Sequence, residues 1–268
     1  MYPEYRKEWS LIMKKKKEIQ LAAETTDKLI ALGDIHGLTN WRRVVAAHPD
    51  ASHYVFLGDY CDPYGTRITD EKVVDNLIDL IDFKKQHSER VVLLLGNHDM
   101  HYLRSNLFKG SRYNLALAMI LRDLFENNKK LFQPAFACNH LLFTHAGVSK
   151  SWLHEFGGEE NDCIADLLNE RSDDLVLFQC SVLRGGFFDH GGPFWADIKE
   201  FVTSELLPGY VQIVGHNRVS TIQVKGDSIL TTGNIVFCDS LYRNNYLVVL
   251  HPSDEEPEFY EANLKEKE

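Results

Sequence analysis

Five short apolar runs recur along the chain, and each has the length and composition of a buried β-strand. They cover residues 28–32, 54–57, 90–95, 141–144 and 211–214. Asp, Asn or His follows each run, either directly or after one glycine. Because ligands bind at the carboxyl ends of strands in an open α/β sheet, the pattern predicts one polar site built from five strand ends.

The segments after the runs combine glycine with a polar donor. In chain order they are Gly33-Asp34-Ile35-His36-Gly37, Gly58-Asp59-Tyr60-Cys61-Asp62, Gly96-Asn97-His98-Asp99, His145-Ala146-Gly147 and Gly215-His216-Asn217. If the pleat of the first strand continued, Asp34 and His36 would project to the same side and could bind one divalent cation. A single such segment is more often a turn or a helix cap, but five repetitions argue against that explanation.

The segments between the first three runs have apolar residues at helical spacing. Thr39 or Asn40 is expected to cap a short helix through Ala47, and Thr69 a long amphipathic helix. The apolar residues of the long helix are Val73, Val74, Leu77, Ile78 and Ile81. This β-α-β-α-β order predicts a parallel sheet portion with right-handed crossovers.

The remaining chain divides into a helical insertion, a strand-rich part and polar ends. The insertion, around residues 100–138, is expected either to cover the cleft or to pack in the core. Strands are predicted at 211–214, 219–224, 228–231, 234–238 and 246–250, with a tight turn at Gly226-Asp227. We therefore expect a polar lead-in at 1–27, one domain at 28–252 and a frayed polar tail at 253–268.

Composition and charge restrict the classes of partner. The chain has 268 residues, of which 44% are hydrophobic, as in an ordinary globular protein. Its net charge of −10 argues against broad electrostatic binding to nucleic acid or an anionic membrane. No uncharged apolar run approaches the ~20 residues of a membrane span. The N-terminus lacks the apolar region of a secretory signal, and five cysteines without a CxxC pair favour the cytoplasm.

The donor set has a clear metal preference. Carboxylate, amide and imidazole donors without a thiolate favour Mn²⁺ as the first choice, with Fe or Zn as alternatives, over Ca²⁺. Six donors suit two divalent metal ions about 3.5–4 Å apart with a shared carboxylate. Asp59 is the expected bridge, because its strand should lie beside the first. The donors are Asp34, His36, Asp59, Asn97, His145 and His216.

Such a pair of ions favours attack on phosphorus. Two cations lower the pKa of a bridging water and neutralise the oxygens of a phosphoryl group. His98 is the candidate general acid for the leaving group, and Asp62 is expected to orient it and raise its pKa. Asp99 is equally well explained as support for the site or as a first-turn acid of the next helix.

These segments resemble the motifs of the calcineurin-like metallophosphoesterase superfamily, and within it the phosphoprotein-phosphatase-type branch. The family pattern GDxHG, GDxxD, GNH[E/D] and two later histidine blocks is matched in order over roughly residues 28–240. The resemblance implies an α/β fold, a β-sandwich of two mixed sheets flanked by helices with the metal centre at one sheet edge. It also implies the Asp62–His98 dyad. It places Asp34, His36 and Asp59 at one ion, and Asp59, Asn97, His145 and His216 at the other.

One departure concerns phosphate binding. The branch has an arginine directly after the second motif, whereas here Asp62 is followed by Pro63-Tyr64-Gly65. Proline has no N–H group to donate to phosphate. Arg184 is the first substitute, with Arg67, Arg104 and Arg218 as weaker ones. Asp197, in a segment that resembles the branch's Trp-Ser-Asp block, is either a supporting acid or a surface residue. His101 is the remaining histidine nearest to a motif.

Three functions fit these observations. The first is a metal-dependent phosphoesterase that hydrolyses phosphomonoesters by attack of a hydroxide bridging two metal ions, with a Ser/Thr phosphoprotein as one candidate substrate. The second is a dinucleoside polyphosphate hydrolase or phosphodiesterase. The third is a catalytically inactive binding module that retains the fold. The expected partner is therefore a phosphorylated small molecule, a nucleotide or a phosphoprotein.

Overall fold

The computed structural model describes residues 28–65, 67–105, 109–202, 205–223 and 234–264. The predicted lead-in at 1–27, the strand at 228–231 and the turn at Gly226-Asp227 lie outside these residues. Two mixed sheets pack face to face with helices on their outer sides, which is the α/β sandwich that was predicted.

The larger sheet has six strands in the order β10-β9-β1-β2-β3-β4. Their bounds are β1 (Lys28–Leu32), β2 (His53–Phe56), β3 (Val91–Leu94), β4 (Phe132–Gln133), β9 (Asn245–Leu250) and β10 (Glu258–Asn263). The first four are parallel to one another; the β-α-β-α-β pattern predicted this for β1, β2 and β3 but not for β4. Strands β9 and β10 add antiparallel pairs. The parallel order brings the ends of β1, β2 and β3 to one edge.

The smaller sheet has four strands in the order β5-β6-β7-β8. They are β5 (Ala135–Cys138), β6 (Leu141–Thr144), β7 (Val211–Arg218) and β8 (Ile235–Asp239). Strands β6, β7 and β8 are parallel. The segment that follows β6 and the last residues of β7 therefore lie at the same edge of the sandwich.

Six α-helices lie in the described residues. They are α1 (Trp41–Ala47), α2 (Asp70–Gln86), α3 (Asn97–Leu103), α4 (Ala118–Asn127), α5 (Lys150–Glu155) and α6 (Ile164–Glu170). Thr69 caps α2 by accepting a hydrogen bond from the Lys72 N–H, as predicted. Among the described residues, no helix combines the length and the apolar character needed to cross a bilayer.

Successive side chains of β1 point to opposite faces of the larger sheet, and both faces are buried. Leu29 and Ala31 pack between the two sheets, in one cluster with Phe143 of the smaller sheet. Ile30 and Leu32 point the other way, toward the helices α1 and α2. A strand with both faces buried reads as a continuous apolar run, which is why 28–32 was recognisable from the sequence.

Some sequence predictions are wrong. The tail does not fray throughout, because Glu258–Asn263 pairs with β9 as an edge strand. Residues 219–223 form no strand. In α2 the buried face contains Leu80, whereas Ile78 is 37% exposed. The predicted insertion is helical over Ala118–Asn127, but its last residues form β4 and β5.

Candidate metal centre

The six predicted donors meet at one edge of the sandwich. Five of them are at most 5% exposed, and His216 is partly buried. Two groups have donor atoms within 4.8 Å of one another: Asp34, His36 and Asp59 form the first, and Asp59, His145 and His216 the second. Asp59 belongs to both, which is the arrangement expected of a residue that bridges two ions.

His36 reaches the site by a route that differs from the predicted one. β1 ends at Leu32, and His36 has φ 42°, in the left-handed region, so the pleat does not continue. The turn nevertheless places Nε2 of His36 3.6 Å from Oδ2 of Asp34 and 3.6 Å from Oδ2 of Asp59. Its Nδ1–H donates to the Cys61 carbonyl at 2.8 Å, which leaves the Nε2 lone pair facing the two carboxylates.

Asp59 sits on a strained, tightly enclosed turn after β2. Its φ is 52°, and its Oδ1 accepts from the His98 N–H at 2.8 Å. A Cβ on Gly96 would lie 2.2 Å from this Oδ1, so only glycine fits there. The backbone at Gly96 therefore lies directly against Asp59, and any larger side chain at position 96 would push the two segments apart.

His145 follows β6 and has a fixed orientation. Its Nδ1–H donates to the Leu57 carbonyl at 2.7 Å, so the neutral ring presents a lone pair at Nε2. Oδ1 of Asn97 lies 3.0 Å from that Nε2, and Oδ1 of Asp59 lies 3.6 Å away. Three acceptors therefore face one another, an arrangement that a cation between them would stabilise.

His216 lies at the bulged end of β7, where its φ is 58°. Its backbone N–H donates to Oδ1 of Asp34 at 2.8 Å, and its Nε2 is buried without a hydrogen-bond partner. A Cβ on Gly215 would lie 2.5 Å from the same Asp34 oxygen. The close approach of β7 to the end of β1 thus depends on this glycine.

The protonation tendencies suit metal ligation. Burial lowers the pKa of His145, although nearby Asp34 opposes the effect. Burial and His145 lower the pKa of His216 well below its usual value. Neutral imidazoles with buried lone pairs beside carboxylates are the form in which these side chains bind cations. The residues present therefore fit a pair of divalent ions.

Asp62 and His98 form the predicted pair beside this cluster. Nδ1–H of His98 donates to Oδ2 of Asp62 at 2.8 Å. Nε2 of His101 lies 2.7 Å from the same oxygen, and the Tyr102 hydroxyl donates to the other carboxylate oxygen. Burial raises the pKa of Asp62, but these three partners outweigh it and lower the pKa to about 2.

The direction of the pKa shift of His98 is opposite to the predicted one. Burial lowers the pKa of His98 to about 4, and this outweighs the raising effect of Asp62 that was expected to dominate. A second contact agrees with a neutral ring. Arg112 has only donors, and its Nη2 lies 2.9 Å from Nε2 of His98, so that nitrogen acts as an acceptor.

Asp99 is both a first-turn acid of a helix and a support for the site. It occupies the first turn of α3, and its carboxylate accepts from the N–H groups of Gly96, Asp59 and Tyr60 at 2.8–2.9 Å. Burial raises the pKa of Asp99 to about 8. Its side chain therefore ties the turn after β2 to the start of α3.

The arginines proposed from the sequence lie in different places. Arg184 is close enough to lower the pKa of His145 and His216, yet its Nε lies 2.6 Å from Oδ2 of Asp197. It also donates to Oδ1 of Asn217. Arg104 pairs with Asp173 on another surface. Arg218 lies over the ring of Tyr64, at the rim of the site.

Arg112 is the site residue that sequence reasoning missed. Its guanidinium contacts His98, donates to the Asp62 carbonyl and lies 3.7 Å from the centre of the Tyr64 ring. Its own φ is 62°. Asn114 anchors the loop, since its N–H donates to the Tyr102 hydroxyl at 3.1 Å. The only signal in the sequence is an arginine between glycine and aromatic residues in a segment otherwise predicted helical.

The chain is similar to a known protein family. The sequence model of the calcineurin-like phosphoesterase family matches residues 28–223. No curated protein sequence matches the chain.

Solved structures share the fold at low sequence identity. A cold-active protein-tyrosine phosphatase of a psychrophilic Shewanella species is 19% identical, covers 87% of this chain and 80% of its own, and has a TM-score of 0.59. A protein serine/threonine phosphatase from Saccharomyces cerevisiae with similarity to human phosphatase PP5 is 15% identical, covers 91% and 82%, and has a TM-score of 0.53. At these identities the likeness is one of fold.

Proposed function

The chain belongs to the calcineurin-like phosphoesterase family, and on that premise we propose that it is a dinuclear metal-dependent phosphoesterase. The observation that supports this most directly is the pair of donor groups that share Asp59. Asp34, His36 and Asp59 would hold one divalent ion, and Asp59, Asn97, His145 and His216 the other. Mn²⁺ is our first choice, since the donors are oxygen and imidazole nitrogen without a thiolate.

Bound divalent ions would supply a water nucleophile at neutral pH and neutralise phosphoryl oxygens. Hydrolysis forms a P–O bond to the water oxygen and breaks the P–O bond to the leaving group, whose oxygen then needs a proton. Nε2 of His98 is the atom we assign to this proton transfer. The neutral ring has no proton at Nε2, so this nitrogen would take one up from solvent once Arg112 no longer contacts it and would then donate it to the leaving oxygen. Asp62 holds the ring through Nδ1 at 2.8 Å, and His101 and Tyr102 hold Asp62.

Phosphate binding is assigned first to Arg112. A phosphoryl oxygen that takes the Arg112 hydrogen bond releases Nε2 of His98 for proton transfer, because the two groups are 2.9 Å apart. Arg184 remains a second candidate on the His216 side, with much of its charge neutralised by Asp197. Charged hydrogen bonds of this kind stabilise a phosphoryl group as its charge redistributes in the transition state.

A substrate panel tests the proposal. Hydrolysis of four substrates is measured with added Mn²⁺ and with a chelator. The measured products are phosphate from p-nitrophenyl phosphate and a phosphoserine peptide, adenine nucleotides from a diadenosine polyphosphate, and the aryl alcohol from a bis-aryl phosphodiester. We expect turnover that requires the metal and is abolished by chelation. Metal content near zero together with no turnover on any substrate would instead favour the inactive binding module.

A further inference from the structure

A cavity of about 180 Å³ opens beside Asp34 and His36. Its outer wall contains the guanidinium of Arg218 and the rings of Tyr64 and Tyr242. The two rings are 51% and 39% exposed, so this wall faces solvent. The cavity therefore connects the candidate metal centre with the surface.

Two arginines flank Tyr64. Cζ of Arg112 lies 3.7 Å from the centre of the Tyr64 ring, and Cζ of Arg218 lies 4.2 Å from it and 3.9 Å from the centre of the Tyr242 ring. Both guanidinium groups therefore contact the same ring. Their Cζ atoms are then at most about 8 Å apart, the sum of the two distances.

Neither guanidinium group forms a direct pair with a described carboxylate, although Asp239 lies close enough to Arg218 for the two charges to interact. Arg184, in contrast, is paired with Asp197. Contact with two tyrosine rings restrains Arg218, and no described residue accepts a hydrogen bond from its guanidinium, so its N–H groups are available to a bidentate anion. Asp239, also in the cavity wall, is only 3% exposed and lies deeper, so an anion arriving from solvent meets Arg218 first.

We propose that Arg218, held between Tyr64 and Tyr242, is a subsite for a second phosphate of the substrate. The inference rests on the proposed function, in which the reacting phosphoryl group lies beside Arg112. The substrate is then a phosphoric anhydride with at least two linked phosphates, such as an inorganic or nucleoside polyphosphate. The cavity is smaller than the ~300–1,000 Å³ of pockets that enclose drug-sized ligands, which suits a compact phosphate.

The first test compares two substrates in one variant. Arg218→Met should lower kcat/KM for inorganic tripolyphosphate by about tenfold or more, the effect of losing one charged hydrogen bond. The kcat/KM for p-nitrophenyl phosphate should stay within about twofold, because this substrate has no second phosphate to contact Arg218. Arg243→Met is the matched control, because Arg243 is exposed, lies 6.0 Å from the Tyr242 ring centre and is not in the cavity wall. Equal effects on both substrates, or none on either, would overturn the subsite.

The second test measures binding without turnover. Calorimetry at fixed free Mn²⁺ compares methylenediphosphonate with methylphosphonate, and Arg218→Met should lose about tenfold in affinity for the diphosphonate only. Unchanged affinity for the diphosphonate rejects the subsite even if no substrate is hydrolysed, so this result is independent of the phosphoesterase proposal. Circular dichroism checks the fold of the variant, and Arg218→Gln replaces it if Arg218→Met does not fold.

Discussion

Nη2 of Arg112 lies 2.9 Å from Nε2 of His98, and this contact joins the loop before α4 to the start of α3. It shows that His98 is an acceptor at Nε2 and holds its proton on Nδ1, toward Asp62. A substrate oxygen that accepts the hydrogen bond from Arg112 would therefore release Nε2 of His98 for proton transfer.

Replacing Arg112 should weaken catalysis without removing metal. We expect Arg112→Met to lower kcat/KM for an aryl phosphate by about 10–100-fold, since one or more charged hydrogen bonds to phosphate are lost. Metal content, measured by mass spectrometry, should equal that of the wild type because Arg112 is not one of the proposed metal ligands. Arg122→Met, on the exposed side of α4, is the control. Wild-type kinetics in Arg112→Met would show that phosphate is held elsewhere.

The role of His98 depends on the leaving group. His98→Ala should reduce turnover by about 10²–10⁴-fold on an alkyl phosphate, whose leaving oxygen needs a proton, and less on p-nitrophenyl phosphate. Bound metal should be retained. His154→Ala removes a more exposed histidine of α5 and should behave as the wild type. A loss of equal size on both substrates would exclude the assigned proton transfer.

Asp59 should control both metal positions. Asp59→Asn can still accept the His98 N–H, which Oδ1 of Asp59 accepts at 2.8 Å, so the backbone contact is preserved while the charge is lost. We expect metal content to fall together with activity, and the rise in Tm caused by added Mn²⁺ to shrink. Asp79→Asn, on the surface of α2, is the matched control. Two tightly bound ions in Asp59→Asn would contradict the bridging role.

His48 should make stability depend on pH, away from the site. Burial lowers its pKa from 6.5 to about 4, nearby Lys28 adds to the effect, and Asp50 opposes it. Its Nε2 lies 2.9 Å from the Tyr246 hydroxyl. Since the unfolded chain binds the proton more tightly, stability is fully present above pH 6.5 and is lost as the pH falls toward 4.

The measurement for His48 is urea unfolding across this range. Between neutral pH and pH 4.5, His48→Gln should lose about 2–3 kcal/mol less of its free energy of unfolding than the wild type. His87→Gln, which removes an exposed histidine at the end of α2, should follow the wild-type curve. Parallel curves for His48→Gln and the wild type would show that His48 does not cause the acid sensitivity.

The sequence predicted those features that depend on one short segment of the chain. Strands such as Lys28–Leu32 and Leu141–Thr144 are buried on both faces and read as continuous apolar runs, so their ends were predictable. Because parallel strands end at one edge, the donors that follow them were expected to converge, and Asp59 does belong to both donor groups.

Predictions failed where the outcome depends on distant contacts. Glu258–Asn263, which was predicted to be part of a polar tail, becomes a strand because β9 offers it an edge. Ile78 is exposed and Leu80 buried because of how α2 is rotated against the sheet. Both residues are apolar and lie two positions apart, so composition could not separate them.

The chain by itself therefore determined the strand ends and the chemical identity of the donors, since both depend on runs of only a few residues. Only the tertiary structure decided that His36 arrives through a left-handed turn, and that Arg112 contacts His98 beside the site. Packing selects those positions, because the Arg112 loop is held by Asn114 against Tyr102. A contact between residues far apart in the chain leaves no periodic trace in the sequence.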